Sequence, residues 1–322
     1  MQLPPSLQSA IDHIIESTDT RQLTEAREEL TRRYRHPSAS QFMMTEVQRQ
    51  AYVVSRLPAT YAALQSSLKA IRERADLPIK SVLDLGAGPG TGMWAACENF
   101  PEIETVTLIE QDSSLATIGK RLAQFSEHSA TRSANWQVGN LEQLNDLPPH
   151  DLVILSYSVG ELRRESIAPL MNLCWKSANQ LLLVIEPGTP VGFERIRLIR
   201  RHLIDWGAHL IAPCPHHAAC PMTGRDWCHF SARVERSSLH RRLKGGSLGY
   251  EDEKFSYVAA TKTPFPLPSS RVLSQPSRHS GHIILKLCTD EGVQQPTISK
   301  KMGGLYKQAR KVEWGDVFPL EK

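Results

Sequence analysis

Apolar residues run directly into a series of glycines in the segment Ser81-Val82-Leu83-Asp84-Leu85-Gly86-Ala87-Gly88-Pro89-Gly90-Thr91-Gly92. This pattern predicts a buried β-strand that ends in a tight loop and is followed by a helix. Glycines at the carboxyl end of a first strand allow backbone N–H groups to approach a ligand closely. The spacing fails the G-x-G-x-x-G dinucleotide fingerprint at Thr91, which argues against a nicotinamide site.

The same loop resembles the first motif of class I S-adenosylmethionine-dependent methyltransferases, which wraps the methionine part of the cofactor. The matching residues are Asp84, Gly86, Gly88 and Gly90, although a bare strand-to-helix turn would also suit them. A second apolar run ends in Glu110, twenty residues after Gly90. An acidic side chain at the tip of the second strand can accept hydrogen bonds from both ribose hydroxyls of an adenosine ligand. The two features together favour an adenosine-type cofactor.

Strand and helix patterns alternate over residues 80–187, which predicts an α/β fold with a parallel sheet covered on both faces. Asn140 and Leu141 follow the third predicted strand, where related enzymes place a polar group against adenine. Many of them use Asp there, and Asn140 can still accept or donate a hydrogen bond. The ends of the first, fourth and fifth strands should frame the crevice. We therefore predict that the cofactor is bound by Asp84, Gly86, Gly88, Gly90, Glu110, Asn140, Leu141 and Ser156.

Charge is unevenly distributed along the 322 residues, whose formal net charge is +4. Residues 1–195 carry 18 Lys and Arg against 23 Asp and Glu, whereas residues 196–322 carry 20 against 11. A basic half attached to a cofactor domain favours a polyanionic partner, most simply RNA, although solubility alone would also explain it.

Composition and the N-terminal segment restrict the class of protein. The hydrophobic content of 40% and the charged content of 22% are typical of a soluble globular protein. No apolar run approaches the roughly 18–20 residues of a membrane span. The first residues lack the basic-then-apolar pattern of a signal peptide. We therefore predict a cytoplasmic protein that has no membrane partner and is monomeric when free.

Six cysteines fall into two groups. Cys97 and Cys174 lie in predicted amphipathic helices and are expected to be buried packing residues. In a chain without a signal peptide, the group in the last third favours a metal site over disulfides. Its members are Cys214, Cys220, Cys228 and Cys288.

The spacing of this second group leaves two kinds of metal open. Gaps of five and seven residues are wider than the usual zinc knuckle and suit a loop around a larger object. A cubane iron–sulfur cluster held by four thiolates is such an object. His216, His217 and His229 keep zinc open, because Cys and His combine freely at zinc.

Four regions are predicted along the chain. They are a helical N-terminal region at 1–77, a methyltransferase domain at 78–194 and 251–290, a basic Cys-rich metal-binding insertion at 195–250, and a basic C-terminal tail at 291–322. Helices are expected over 21–34 and 43–68, with a break at Pro58. The N-terminal region shows no ligand-binding pattern.

Two late strands, at 255–260 and 282–288, are expected to form an antiparallel hairpin. They would complete a Rossmann-like seven-stranded class I methyltransferase sheet and place the cysteine segment between its fifth and sixth strands. In the tail, basic residues are interleaved with Tyr306 and Trp314, a combination suited to phosphates and stacked bases.

Several segments together resemble one family, the methyltransferase-like assembly factor of the mitochondrial small ribosomal subunit with its bacterial relatives. The matching segments are 84–92, 186–193, 214–228 with Trp227-Cys228-His229-Phe230, 255–262 and 311–316. The likeness covers nearly the whole chain and is weakest over residues 1–40. It implies a class I methyltransferase fold and binding to small-subunit ribosomal RNA during assembly. It also implies a 4Fe-4S cluster on the four cysteines of the second group, and a bacterial member of the family.

Three functions compete at this point. The first is an RNA methyltransferase acting on the small subunit. The second is a non-catalytic assembly factor that keeps the fold, with a cluster or a structural zinc. The third is a Rossmann oxidoreductase, against which the failed fingerprint and the basic tail argue. Tyr157, Glu161 and Glu186 are the polar candidates near the predicted mouth, and structural hydrogen bonding is favoured over catalysis for all three.

Overall fold

A computed structural model describes residues 1–35 and 43–319 of the chain. Its strands within these ranges are β1 (Ser81–Leu85), β2 (Thr105–Glu110), β3 (Asn135–Val138), β4 (His150–Ser156), β5 (Ala178–Pro187), β6 (His209–Ala212), β7 (Phe230–Glu235), β8 (Tyr250–Thr261), β9 (Ser270–Val272), β10 (Ser277–Arg278), β11 (His282–Ile284), β12 (Leu287–Thr289), β13 (Gly292–Gln294) and β14 (Thr297–Ser299).

Helices cover both faces of the central sheet. Within the same ranges they are α1 (Pro5–Ile15), α2 (Thr20–Arg35), α3 (Glu46–Ser55), α4 (Leu57–Arg72), α5 (Thr91–Asn99), α6 (Ser113–Ala123), α7 (Ser129–Arg132), α8 (Arg164–Ser177), α9 (Pro190–Asp205), α10 (Ser238–Lys244) and α11 (Gly304–Ala309). None of them has the length and apolar character needed to cross a bilayer.

The central sheet confirms the predicted α/β architecture and corrects its details. The strand order is β3-β2-β1-β4-β5-β8-β6, with β7 also paired to β8, so the described sheet has eight strands rather than seven. β1 runs parallel to β2 and β4, whereas β8 runs antiparallel to β5. Residues 181–185 of β5 are fully buried. Each such side chain contributes about 1.5–3 kcal/mol through burial.

The predicted late hairpin is wrong in one of its two strands. Residues 255–260 lie in β8 as expected, but residues 282–288 do not join the central sheet. They are divided between β11 and β12, which belong to two separate three-stranded sheets. The place next to β8 is taken by β6, a four-residue strand between Gly207 and Pro213. The cysteine segment therefore follows β6 and is not an insertion between the fifth and sixth strands.

The N-terminal region is helical, as predicted, and forms part of the main core. Helices α3 and α4 are separated at Arg56, and Pro58 lies in the first turn of α4. Thr45 caps α3 through a reciprocal capping box with Gln48. Helix α4 packs on α5, β7 and β8. Residues 36–42 of the predicted region lie outside the described residues.

The predicted C-terminal tail is folded. After β13 and β14, a 3-10 turn and α11 pack around a small apolar core. The core includes Val272, Ile283, Leu285, Val312 and Phe318. Residues 320–322 of the predicted tail lie outside the described residues.

Candidate functional site

The glycine loop is supported from below by Asp84. This residue is fully buried, and its Oδ2 accepts the backbone N–H of Met93 at 3.1 Å. A Cβ atom at Gly92 would lie 2.5 Å from Oδ2, so only glycine fits over this carboxylate. Burial raises the pKa of Asp84 to about 7, and the charge of Glu110 acts in the same direction. Asp84 therefore fixes the start of α5 and does not line the cavity above it.

Backbone geometry explains the glycines of the loop. Gly86, Gly88 and Gly90 have φ angles of +65°, +56° and +84°, in the left-handed region that side chains disfavour. A Cβ at Gly86 would also lie 2.5 Å from the Cβ of Ser158. The loop therefore brings its backbone close to the end of β4, where a ligand can contact both.

Glu110 is held by the backbone around it. Its Oε2 accepts the N–H of Gly88 at 2.8 Å, and its Oε1 accepts the N–H of Asp112 at 2.8 Å. Burial raises the pKa of the Glu110 carboxyl, and these hydrogen bonds oppose the rise. Each carboxylate oxygen has a further lone pair, which can accept a hydroxyl group. Glu110 is therefore oriented to receive a ligand.

A cavity of about 410 Å³ opens above the loop. Its size is within the usual range of small-molecule sites. Six of the eight predicted cofactor residues line it, whereas Asp84 and Gly90 do not. The six are Gly86, Gly88, Glu110, Asn140, Leu141 and Ser156. The Oδ1 of Asn140 accepts the N–H of Glu142 at 2.9 Å.

The N-terminal region contributes to this cavity, although its sequence shows no ligand-binding pattern. Met43 and Tyr52 line the cavity. The Arg49 guanidinium donates to Asp112 at 2.9 Å and to the carbonyl of Met43 at 2.7 Å, which fastens α3 to the cavity wall. No spacing in the sequence links these residues to the glycine loop, so only the fold reveals them.

The polar candidates at the mouth differ in their surroundings. Tyr157 has a φ of +58°, and its hydroxyl donates to Glu253 at 2.9 Å. Glu186 is fully buried and accepts from Arg195 and from the N–H of Gly160, both at 3.3 Å. Burial raises the pKa of Glu186 to about 7, although Arg195 opposes the rise. These contacts support structural roles for Tyr157 and Glu186.

Glu161, like Tyr157, lines the cavity. It is exposed at the mouth. Desolvation by the cavity wall, followed by the charges of Glu110 and Glu186, raises the pKa of its carboxyl, and contact with water limits this rise.

A second cavity brings the four distant cysteines together. Cys214, Cys220, Cys228 and Cys288 all line it, although they come from well separated parts of the chain. Cys97 and Cys174 are buried in α5 and α8, as predicted for packing residues. Burial raises the pKa of each of these two thiols.

The cysteine cavity is not arranged around one small ion. Among the described residues, no three His, Cys, Asp or Glu side chains form a group that could hold a single metal ion. Burial raises the pKa of the Cys220, Cys228 and Cys288 thiols, and the charge of neighbouring cysteines adds to it.

A small aromatic cluster forms around His229, the residue that follows Cys228 in the chain. Trp227 stacks on His229 with 5.1 Å between ring centroids, and Trp314 contacts His229 edge-on at 4.9 Å. The indole N–H of Trp227 donates to the carbonyl of Gly188, and that of Trp314 donates to the carbonyl of His229, both at 2.9 Å. Trp314 is therefore held in place within the fold through its indole N–H.

The histidines near the cysteines also have structural partners. His217 accepts the backbone N–H of Leu210 at 2.9 Å through Nε2. His216 is buried in the cavity wall, and its Nε2 lies 3.5 Å from the Sγ of Cys288.

Comparisons with known proteins relate the chain to a ribosomal family. The family model "Mitochondrial small ribosomal subunit Rsm22" matches residues 46–319. Two fission yeast (Schizosaccharomyces pombe) relatives, the mitochondrial Rsm22-cox11 tandem proteins 1 and 2, are each 27% identical to this chain over 334 residues. The match covers 86% of this chain and 44% of each relative, so the chain spans less than half the length of these proteins.

Solved methyltransferase structures are also among the matches to the chain. Magnesium protoporphyrin IX methyltransferase from Synechocystis, solved with bound S-adenosylmethionine, matches with a TM-score of 0.42 and 13% identity, covering 75% of this chain and 97% of that one. An O-methyltransferase family protein from Burkholderia thailandensis matches with a TM-score of 0.48 and 12% identity, covering 77% and 73%.

The relatives correct the predicted location. We expected a cytoplasmic bacterial protein, but both curated relatives are mitochondrial proteins of fission yeast. The expectation of a cytoplasmic protein rested on the lack of a signal pattern, and its bacterial part rested on the resemblance. The comparison points instead to mitochondria.

Proposed function

Because the chain belongs to the Rsm22 family of the mitochondrial small ribosomal subunit, we propose that it is an S-adenosylmethionine-binding, methyltransferase-like protein of that subunit. Its proposed partner is the small subunit and its ribosomal RNA, either as a substrate or during assembly. The observation that carries the proposal is one cavity lined both by the glycine loop and by Glu110. The chain is proposed to be monomeric away from the ribosome.

Different residues of this cavity are proposed to bind different parts of the cofactor. Gly86 and Gly88 offer backbone contacts to the methionine part, and Ser156 ends the strand beside it. Glu110 accepts the ribose hydroxyls, while Asn140 and Leu141 contact the adenine. Asp84 and Gly90 hold the loop in shape rather than contacting the ligand. When bound, S-adenosylmethionine supplies an electrophilic methyl group.

Transfer of this methyl group to RNA depends mainly on placement. A nucleophile held in line about 3 Å from the methyl carbon gains a large proximity effect. Some targets also need a proton acceptor, and Glu161 is suited to this role by its position at the mouth and its raised pKa. The side chains of Tyr157 and Glu186 are already bonded to Glu253 and Arg195. These structural contacts are also consistent with the alternative function, a non-catalytic assembly factor.

We propose further that the four cysteines of the second cavity hold a 4Fe-4S cluster, with a structural zinc as the alternative. The cluster is proposed because all four cysteines line one cavity and a 4Fe-4S cluster takes four thiolates. A metal group held by segments so distant in sequence couples binding to folding.

Calorimetric titration with S-adenosylmethionine tests the proposed cofactor, with NAD titrated in parallel. We expect binding of the former alone, and Glu110→Gln should weaken it by about tenfold or more, since one hydroxyl acceptor is lost. Glu104→Gln, an exposed change next to the start of β2, is the matched control. Binding of NAD in preference to S-adenosylmethionine would contradict the proposal.

Methyl incorporation separates the two remaining functions. Purified chain is incubated with labelled S-adenosylmethionine and small-subunit ribosomal RNA or immature subunits. Label in the RNA that is lost in Gly86→Ala supports an RNA methyltransferase. Unlabelled RNA, together with rescue of an assembly defect by Gly86 and Glu110 variants, supports the non-catalytic assembly factor.

A further inference from the structure

The wall of the cysteine cavity has one sign of charge. Its ionisable side chains, other than the cysteines, His216 and Tyr257, are Arg197, Arg200 and Arg271. No Asp or Glu is among the described residues that line it. Buried guanidinium groups in a wall without a carboxylate favour a bound anion, because an uncompensated buried charge destabilises the fold strongly.

Arg200 is directed at the cysteine segment from α9. It is 5% exposed, and its Nε donates to the Sγ of Cys214 at 3.2 Å. Its Nη2 donates to the carbonyls of His216 and Ala218, both at 2.8 Å. These hydrogen bonds hold the guanidinium in place, but none of the acceptors is a carboxylate.

Arg271 reaches the cavity from the opposite side. It is 4% exposed, and it lies opposite Cys288 in the antiparallel pairing of β9 with β12. Its Nε donates to the carbonyl of Pro213 at 2.9 Å, and its Nη1 donates to the carbonyl of Gly315 at 2.7 Å. Its Nη2 is buried and has no hydrogen-bond partner. Arg271 also lines a neighbouring cavity that contains Glu73 and Asp316. A buried donor without a partner indicates a missing acceptor, and the cysteine cavity is one of the two spaces beside this residue.

Arg197 differs from these two residues, although it lines the same cavity. Its side chain is 35% exposed and its Nη2 forms an ion pair with Glu194 at 2.6 Å. The charge of Arg197 is therefore already compensated and partly screened by water. It provides an internal control for the two buried arginines.

We propose that Arg200 and Arg271 are the counter-charges of a thiolate-bound dianion in this cavity, with Arg271 Nη2 donating to one of its sulfurs. The inference rests on the proposed cluster. Four thiolates around a doubly positive iron–sulfur core carry a net charge of about −2, which two guanidiniums balance. Both arginines are positioning residues. They stabilise the one-electron reduced form more than the oxidised form, because reduction adds negative charge next to them.

The test compares reduction potentials and iron retention in the anaerobically purified full chain. Dithionite titration with redox mediators gives the potential, and a chelator assay gives the rate of iron loss. Arg271→Gln and Arg200→Gln keep a donor but remove the charge. We expect each variant to have a ratio of reduced to oxidised cluster about tenfold lower at a fixed potential, which is a reduction potential lower by about 59 mV for one electron. We also expect each variant to lose iron faster than the wild type.

Matched variants separate charge from structure. Arg271→Lys and Arg200→Lys keep the charge and should keep the potential close to that of the wild type. Arg197→Gln should change the ratio by less than twofold. Unchanged potentials in both buried Gln variants, with the cluster bound, would overturn the charge role and leave the proposed cluster intact. A chain that binds S-adenosylmethionine but holds no iron and sulfide would overturn both.

A measurement on the unmutated chain tests the proposal even if the variants do not fold. Pulsed electron paramagnetic resonance of the reduced protein, labelled with ¹⁵N-arginine, detects guanidinium nitrogens next to the cluster. We expect a coupling from a nitrogen that donates to a cluster or thiolate sulfur. The lack of any arginine coupling in the reduced cluster would contradict the assignment of Arg271.

Discussion

The two cavities of this molecule are lined by opposite charges. The cavity above the glycine loop, the proposed cofactor cavity, contains Glu110, Asp112, Glu142 and Glu161. No Lys or Arg is among the described residues that line it. The cysteine cavity contains three arginines and no described carboxylate. S-adenosylmethionine carries a sulfonium cation, and a thiolate-bound cluster is an anion. The contrast teaches that each cavity complements the charge of the group proposed for it.

The cavities also differ in how the chain builds them. Apart from Met43 and Tyr52, the cofactor cavity comes from residues 86–162, which form consecutive strand and helix units. The cysteine cavity combines residues 193–230 with single residues as distant as Cys288. The shape of the first cavity therefore depends mainly on local backbone geometry, whereas the second cavity forms only through long-range packing.

The largest expected effect comes from removing a thiolate. Cys220→Ser should lose the bound metal and lower the free energy of unfolding by about 4 kcal/mol or more, because metal binding and folding are coupled. Solubility and affinity for ribosomal RNA should fall together. Thermal unfolding, iron analysis and RNA binding measure these effects. Cys97→Ser, at a buried cysteine in α5, is the control and should keep its iron. A well-folded, RNA-binding and metal-free Cys220→Ser would refute the coupling.

A smaller effect is expected in the glycine loop, where two substitutions can be compared. Gly86→Ala combines a left-handed φ with a 2.5 Å approach to Ser158, and should cost about 2–4 kcal/mol and abolish cofactor binding. Gly88→Ala has a similar φ but meets only Leu115 at 3.9 Å, and should cost about 1–2 kcal/mol. Denaturant unfolding and calorimetry give both quantities. Equal losses in the two variants would show that the close approach is unimportant.

Glu186, which accepts a hydrogen bond from Gly160 in the wall of the first cavity, predicts a dependence on pH. The pKa of Glu186 in the folded chain, about 7, lies above its ordinary value of 4.5, so the folded chain binds the proton more tightly. This contribution to stability is complete below about pH 4.5 and is lost as pH rises through about 7. Glu186→Gln cannot ionise, so its stability relative to the wild type should rise by about 1–3 kcal/mol between pH 5 and pH 8.

The measurement is urea unfolding of both proteins across this pH range. Glu194→Gln, also on the α9 side of the fold, is the control for losing a carboxylate at an exposed position. A difference between Glu186→Gln and wild type that stays constant with pH would contradict the raised pKa.

The smallest effect is expected at Trp314, which packs edge-on against His229. Trp314→Phe keeps the edge contact with His229 but loses the hydrogen bond to its carbonyl, and should cost about 1 kcal/mol. Iron content should not change. Thermal unfolding with iron analysis checks this, and loss of iron would show that Trp314 supports the metal group directly.

Much of the fold could be predicted from local sequence, and the failures have a physical reason. Strands β1 to β5 and the position of Glu110 follow from apolar runs that end in glycines or acids. The four-residue β6 was missed because its run, 209–212, is too short to show a period. Residues 282–288 look like a central strand, but β8 and β6 already occupy the edge of the sheet.

The candidate sites show the same limit. Gly86 and Gly88 line the cofactor cavity as their spacing predicts, whereas Asp84 lies beneath it. Met43 and Tyr52 reach the cavity only through the packing of distant helices. The four cysteines could be grouped by spacing, but Arg200 and Arg271 have no sequence signal because long-range packing alone places them beside the thiols.

The most direct test of the account is anaerobic purification of the chain, followed by a visible spectrum and by iron, sulfide and zinc analysis. We predict a broad band near about 400 nm, with about four iron and four sulfide per chain. One zinc per chain without colour would contradict the cluster and keep a zinc-stabilised methyltransferase-like fold. Four free thiols with no bound metal would contradict the account of the cysteine cavity altogether.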